Sequence, residues 1–326
     1  MDLASLVDDC LEVSIVGSFS RVGIALRRRV FAWTPPPDGA LAGRTVLVSG
    51  PTSGLGRAAT DALAALGARV VLVGRSEERL AALRDSLIAR HGEDRFPIVL
   101  ADMGSLVSVR AAVRRVVETE SRLDVLIDNA GAINPERRVG PDGIEATLAV
   151  LVVGPFVLVS GLLPLLERTP GSRVISVTSG GMYTQKLALD DLQSTAAPYS
   201  GAGAYARAKR AQTALVREWA RRLLGTGVTI NAMHPGWADT PGLADTLPGF
   251  YRVMRPLLRT PAEGADTVVW LAADPAAATE SGRLYLDRRP RPFDRVRGTR
   301  LSVADRRRLW DAVVGLSGAP DPAPRG

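Results

Sequence analysis

Tyr205 and Lys209 stand in Tyr205-Ala206-Arg207-Ala208-Lys209, where a long helical pattern begins. On a helix, residues four apart share one face and lie a turn from each other. A phenol with an ordinary pKa near 10 is a poor proton-transfer group at neutral pH. A neighbouring ammonium favours the phenolate and lowers that value. Each tenfold gain in the ionised fraction corresponds to about 1.4 kcal/mol, so a modest electrostatic bias greatly enlarges the reactive population. Ser179 closes the β-branched run that starts at Val174. Its hydroxyl is expected to hold a substrate oxygen while Tyr205 delivers or removes the proton. Thr178, one residue earlier, is expected to point away from that site. Neither His91 nor His234 is placed to act as a base for Ser179, which excludes a nucleophilic serine. His234 reads as a loop histidine held by backbone.

A second constellation lies upstream, in Ser49-Gly50-Pro51-Thr52-Ser53-Gly54-Leu55-Gly56, which opens directly into an Ala-rich helix. Gly50, Gly54 and Gly56 permit a tight turn, close approach of backbone to a pyrophosphate, and close helix–strand packing. The free N–H groups and positive dipole end of the helix, with Ser53 and Leu55 in its first turn, complete a dinucleotide cradle. Val73-Gly74-Arg75-Ser76 ends the next strand. A reader of a ribose 2′-hydroxyl there is an Asp or Glu, whereas Arg75 suits a 2′-phosphate through forked, charge-assisted hydrogen bonds. NADP(H) is therefore expected ahead of NAD(H), with Arg57, Ser53 and Ser76 assisting. Asp102 is expected to accept from the adenine amino group, and Asn129-Ala130-Gly131 to let backbone pass a ribose. After the sixth strand, Pro235 and Gly236 are expected to turn the chain over the nicotinamide, with Thr240 on its carboxamide. The positive nicotinamide ring then adds to the ammonium in favouring the phenolate of Tyr205.

These residues need a scaffold that gathers strand ends. From Arg44 onward, short apolar runs alternate with helical stretches. Strands are expected at 45–49, 69–73, 98–101, 124–127, 173–178, 228–232 and 282–286. Helices are expected at 55–66, 77–90, 106–118, 142–166, 205–224 and 262–272. Continuous apolar strands such as Val70-Val71-Leu72-Val73 belong to sheets covered on both faces. The alternation predicts an α/β fold of the Rossmann type, a doubly wound parallel sheet of seven strands in a single domain. Its expected span is 41–290, preceded by an amphipathic extension at 1–40. A C-terminal region at 291–326 follows, a helix and a Pro-rich tail without fixed structure.

The extension is interrupted by Glu12, Ser14, Ser18, Ser20 and Arg21, too polar and short to span a bilayer. No charged segment precedes it to mark a cleaved signal. It is expected to pack on the main domain, with residues 1–33 lying on a membrane surface as the alternative. Lys and Arg total 41 against 34 Asp and Glu, a net charge of +7, yet Arg27-Arg28-Arg29 and Arg306-Arg307-Arg308 are short clusters. No basic stripe interleaved with aromatics marks a nucleic-acid partner. With one cysteine, Cys10, the chain cannot form an internal disulfide, which fits a reducing, cytoplasmic setting. Cys10 and two histidines also make a zinc site implausible, so no metal is expected.

The glycine turn, Asn129-Ala130-Gly131, Ser179, Tyr205, Lys209 and Pro235-Gly236 together resemble the short-chain dehydrogenase/reductase pattern over roughly residues 44–290. The resemblance implies a Rossmann fold, a nicotinamide cofactor and the Ser-Tyr-Lys roles set out above. It also implies hydride transfer at an apolar carbonyl or alcohol substrate and, by analogy, homo-oligomers formed through the two helices after the fourth and fifth strands. Two departures stand out. The family usually carries an Asn three residues before a glycine in the helix after the fourth strand, where it helps a water relay protons. Here Val150-Leu151-Val152-Val153-Gly154 puts Leu151 at that place. Tyr205 also follows Ser179 by 26 residues, longer than in the simplest members. The intervening 185–204 segment is expected to form a lid, and Met182, Tyr183, Trp237 and residues 241–251 to line the substrate pocket. A catalytically idle NADP(H)-binding sensor or interaction protein is the competing class, favoured by Leu151 and opposed by Ser179, Tyr205 and Lys209.

Overall fold

A computed structural model of the protein describes residues 3–196, 198–296 and 298–322. Its centre is one sheet of eight strands in the order β3-β2-β1-β4-β5-β6-β7-β8. These are β1 (Thr45–Ser49), β2 (Arg69–Gly74), β3 (Ile98–Leu100), β4 (Val125–Asp128), β5 (Arg173–Val177), β6 (Thr229–Met233), β7 (Leu284–Leu286) and β8 (Arg289–Arg291). Strands β1 to β7 are parallel, as the pattern predicts. The eighth strand corrects the expected seven: β8 returns antiparallel to β7 as a sheet edge. Asp287 and Arg288, at φ +54° and +58°, form the two-residue turn between them. Positive φ at both central residues matches the strand twist in such hairpins.

Alternation along the buried strands divides the core. Val46, Val48, Val70 and Leu72 face one apolar cluster, whereas Leu47, Val71 and Val73 face the other. The helices are, in chain order, α1 (Leu3–Val13), α2 (Ile15–Phe19), α3 (Arg21–Val30), α4 (Gly54–Ala65), α5 (Glu77–His91), α6 (Leu106–Thr119), α7 (Ala146–Leu148), α8 (Gly154–Glu167), α9 (Gly201–Arg222), α10 (Pro241–Thr246), α11 (Pro248–Met254), α12 (Pro261–Ala273) and α13 (Val303–Ser317). One cluster packs α4, α5 and α12 on the sheet, and the other packs α6, α8 and α9.

The helix expected at 142–166 begins later and is not uniform. Glu145 caps α7 by accepting from the Thr147 and Leu148 amides at 2.9 and 2.8 Å. A π turn, Ala149–Val153, then leads into α8. Pro155 has no N–H to continue an α-helical ladder there. The stretch Ala146–Glu167 is long and apolar enough to cross a membrane by length and composition alone, with a mean hydropathy of 2.4, but it is mostly buried in the core. Trp310 of α13 packs edge-on against Phe156 of α8 and Trp219 of α9, at 4.9 and 4.7 Å between ring centroids. Part of the α8/α9 face, through which the family resemblance implies association, is thus covered from within the chain.

Both ends of the chain are fastened to the sheet domain. The tail, expected to lack fixed structure, packs as far as residue 322: Trp310 Nε1 donates to Asp321 at 2.9 Å and Arg222 to the Pro322 carbonyl at 3.0 Å. Residues 323–326 of that expectation lie outside the described residues. The extension forms α1–α3 and packs inward, burying Phe19, Ile24 and Arg27. Arg27 reaches Asp8 and Asp287, both at 2.6 Å. Arg291 holds Asp8 at 2.8 Å, and Arg259 grips the same Asp287 at 2.6 Å. Leu3, Leu6, Val13, Ile15 and Val22 remain exposed on the arm's outer side.

Candidate active site

Strand ends β1, β4, β5 and β6 meet at a crevice, the ligand side of an open parallel sheet. At its floor the first turn is held by its own backbone. Gly50 has φ +66°, and a Cβ there would lie 2.9 Å from the Ala130 Cα. A Cβ on Gly56 would lie 2.1 Å from the Gly50 carbonyl oxygen. Asn129 donates through Nδ2 to the Ser49 and Gly50 carbonyls at 2.9 and 3.0 Å. Ser49 Oγ accepts from the Asn129 and Ala130 amides at 3.0 and 2.9 Å. Ser49 is a site residue that the sequence reading misses, although its place at the end of β1 points to this loop. Ser53 precedes α4 without capping it, so its hydroxyl and the first-turn amides of Gly54, Leu55 and Gly56 are available to an anion. A pyrophosphate fits this cradle because glycine leaves the space that side chains would fill.

Around the cradle the expected residues fare unequally. Arg75 is exposed at the end of β2. Asp102 is exposed too, with Oδ1 accepting from the Gly104 amide at 2.9 Å. Arg57 is committed elsewhere, to Asp61 at 3.3 Å and Ser86 at 3.0 Å, and Ser76 caps α5. Gly131 packs against Leu151, whose Cδ2 lies 3.3 Å from where a Cβ would stand. Leu151 is fully buried in the π turn and brings an apolar group beneath this loop. Thr240 approaches Gly54 across the crevice, its Cγ2 3.3 Å from the corresponding Cβ position, while its hydroxyl caps α10.

Tyr205, Lys209 and Ser179 come together as expected. Tyr205 is partly exposed at the crevice, with the Ser179 side chain, which accepts from the Gly181 amide at 3.2 Å, beside its phenol. Burial holds that phenol above its ordinary pKa, and the Ser179 hydrogen bond offsets part of the rise. The expected lowering by Lys209 does not prevail here. Lys209 Nζ lies 5.9 Å from the Tyr205 ring centroid and directs its protons to the Val177 carbonyl at 2.7 Å and Gln212 Oε1 at 3.0 Å. Burial pushes the Lys209 ammonium down to about 8, against an opposing pull from Asp128. Thr178 turns inward to Thr213 at 2.8 Å, away from the crevice.

The substrate side departs further from expectation. Met182 and Tyr183 are buried in the core by the 3-10 turn Gly180–Thr184, and Met182 lines a cavity with Arg210, Thr213 and Phe293. Met182 meets Thr213 and Thr178, and the Tyr183 hydroxyl donates to the Pro292 carbonyl at 2.7 Å. Segment 185–204 is anchored through Leu187, Leu189 and Leu192, and by Gln193 accepting from the Glu145 amide at 3.0 Å. Trp237 does stand here, edge-on to Phe250 at 5.1 Å between centroids. Phe19 of the arm, absent from the expected lining, packs on Gly180 and Trp237, and its carbonyl accepts from the Trp237 amide at 2.8 Å. Gly236 is required by the same contact, since a Cβ would come within 2.6 Å of the Phe19 carbonyl oxygen and Arg259. Arg259 also donates to the Pro235 carbonyl at 3.2 Å. His234 is fully buried between Phe19 and Tyr183: its amide donates to the Tyr285 carbonyl at 3.0 Å, its ring nitrogens have no hydrogen-bond partner among the described residues, and burial with the Arg259 charge pushes its imidazole down to about 3. No cluster of metal-binding side chains occurs among the described residues.

Sheet order, glycine cradle and the Ser179-Tyr205-Lys209 grouping define a Rossmann-type nicotinamide oxidoreductase scaffold. A family model described as short chain dehydrogenase matches residues 44–248, and the chain belongs to that family of oxidoreductases. It is 39% identical over 249 residues to dehydrogenase/reductase SDR family member 12 of Homo sapiens, covering 76% of this chain and 78% of that one. It is 36% identical over 304 residues to retinol dehydrogenase 14 of Mus musculus, covering 85% and 88%. The Pseudomonas aeruginosa RhlG/NADP active-site complex superimposes with a TM-score of 0.63 at 26% identity, over 76% of this chain and 96% of that one.

Proposed function

We propose that the protein is an NADP(H)-dependent oxidoreductase that interconverts an apolar ketone or aldehyde and its alcohol. The observation that carries this is the Ser179 hydroxyl on the Tyr205 phenol, with Lys209 one turn along the same helix. When bound, NADPH supplies hydride to the carbonyl carbon. Ser179 donates a hydrogen bond to the carbonyl oxygen, and Tyr205 gives its proton to that oxygen as negative charge develops on it. The Lys209 charge then steadies the phenolate left behind. Arg75 supports the 2′-phosphate form of the cofactor, as does the NADP of the RhlG complex. Trp237, Phe250 and Phe19 favour an apolar substrate, in keeping with the retinol of a named relative.

NADPH oxidation with a panel of hydrophobic aldehydes and ketones tests the reading. Tyr205→Phe keeps the ring and removes the proton, so kcat/KM should fall by about 10²- to 10⁴-fold. Equal rates in both proteins overturn the assignment. Leu151 favours the idle-sensor reading, which requires NADPH binding without turnover of any carbonyl in the panel.

A further inference from the structure

Beneath the crevice, Lys209 is one end of a buried polar chain. Its Nζ donates to Gln212 Oε1 at 3.0 Å. Gln212 Nε2 donates to Asp128 Oδ2 at 2.6 Å, and Ser176 Oγ donates to the same oxygen at 3.1 Å. Lys209, Gln212 and Asp128 are each exposed by 4% or less. Asp128 sits at the end of β4, immediately before the Asn129 that braces the glycine turn. Its second oxygen, Oδ1, is buried with no hydrogen-bond partner among the described residues.

A buried ammonium is costly without a counter-charge, and two neutral acceptors do not supply one. Among the described residues, the surfaces packed around Asp128 offer no competing charge. Phe156 and Val159 of α8, Val174 of β5, Ile230 of β6, and Leu215 and Trp219 of α9 line one cavity with it. The ionisable groups along this line are Lys209 and, beyond it, Tyr205. Burial raises the Asp128 carboxyl, and the Lys209 charge with the Gln212 and Ser176 hydrogen bonds opposes that rise, since in so apolar a setting opposite charges interact far more strongly than across water.

We propose that Asp128 is the counter-charge that keeps Lys209 ionised inside the protein, with Gln212 as the bridge that fixes their separation. Asp128 is thus a positioning residue, acting on the reaction only through Lys209, and this role rests on the reading of Lys209 given above. Gln212 carries no proton between them, because an amide donates and accepts without exchanging its own. The arrangement also bears on Leu151, which offers no side-chain acceptor where the family usually has an amide. The lysine is held from below instead, by a carboxylate one strand away.

The sign of the effect follows from the charge. Burial lowers the Lys209 ammonium and Asp128 raises it, so Asp128→Asn must move its titration further toward acid. The chain has two lysines, Lys186 and Lys209, and Lys186 is exposed. Protein carrying lysine labelled with 13C at Cε therefore gives two signals, one of them an internal reference for the fold. The Lys209 signal should titrate near 8 in the wild type and about one pH unit or more lower in Asp128→Asn, with Lys186 unmoved. The alkaline limb of NADPH-dependent ketone reduction should move to lower pH with it. An unaltered Lys209 titration overturns the proposal, as does a rate lowered equally at every pH. If Asp128→Asn does not fold, the wild-type Asp128 carboxyl carbon decides: a 13Cγ resonance of the ionised form at pH 7 supports the pair, and one of the protonated form overturns it. The lysine titration needs no turnover, so its failure is distinct from the failure of Tyr205→Phe to lose activity.

Discussion

The two sides of the crevice are built from different materials. The cofactor side is backbone: Gly50, Gly54 and Gly56 leave space, and Asn129 and Ser49 clamp the turn within one short network. The opposite wall, which we propose faces the substrate, is made of side chains brought from far apart, with Phe19 of α2 against Trp237 after β6, locked by Arg27, Arg259 and Asp287. A backbone cradle accepts one ligand shape and tolerates almost no substitution. A wall of distant side chains can be changed piece by piece, provided the ion cluster behind it stays matched.

That contrast is open to test in order of expected effect. Arg27→Met removes a buried cation shared by Asp8 and Asp287, and breaking such a pair typically costs about 3–5 kcal/mol. Urea unfolding should show the loss, while NADPH affinity of the remaining folded protein stays within about twofold. A parallel loss of affinity would erase the distinction between the two sides. Gly56→Ala forces a methyl against the Gly50 carbonyl, and such overpacking costs about 1–3 kcal/mol. NADPH titration by fluorescence should register this as roughly a tenfold to hundredfold weakening. Unchanged binding would mean that the cradle is not where the pyrophosphate lies. Arg75→Glu should have the smallest effect, a loss of about 1.5 kcal/mol for a charge-assisted hydrogen bond. The preference for NADPH over NADH should drop by roughly tenfold, and an unaltered ratio removes Arg75 from cofactor choice.

How legible each side is in the sequence follows from the same contrast. Backbone that must bend sharply or pass closely is written as glycine, so the turn at 50–56 can be read with its chemistry. Tyr205 and Lys209 are legible because helical spacing is local. Strand β8 is not, since Arg289-Pro290-Arg291 has neither the composition nor the length of a strand and pairs only at the sheet edge. Nearness to Ser179 in the chain suggests a pocket position for Met182 and Tyr183, but one 3-10 turn sends them inward. The roles of Phe19, Arg27 and Gln212 depend on partners that no local pattern names. Asp128 reads from sequence only as part of a loop, and its buried side chain meets the Gln212 that bridges it to the lysine ammonium.

The arm also sets an order of events during synthesis. Arg27 leaves the ribosome 260 positions ahead of Asp287, the residue it must neutralise. Until β7 and β8 are made, that guanidinium has only partners within the arm, Asp8 and Glu12 of α1 and Ser18 of α2. A domain folds as a unit, so the arm cannot seal until the sheet edge beside Asp287 has been made. The wall opposite the nicotinamide position is therefore among the last parts to close, and a nascent chain halted short of Asp287 carries a cradle without a finished site.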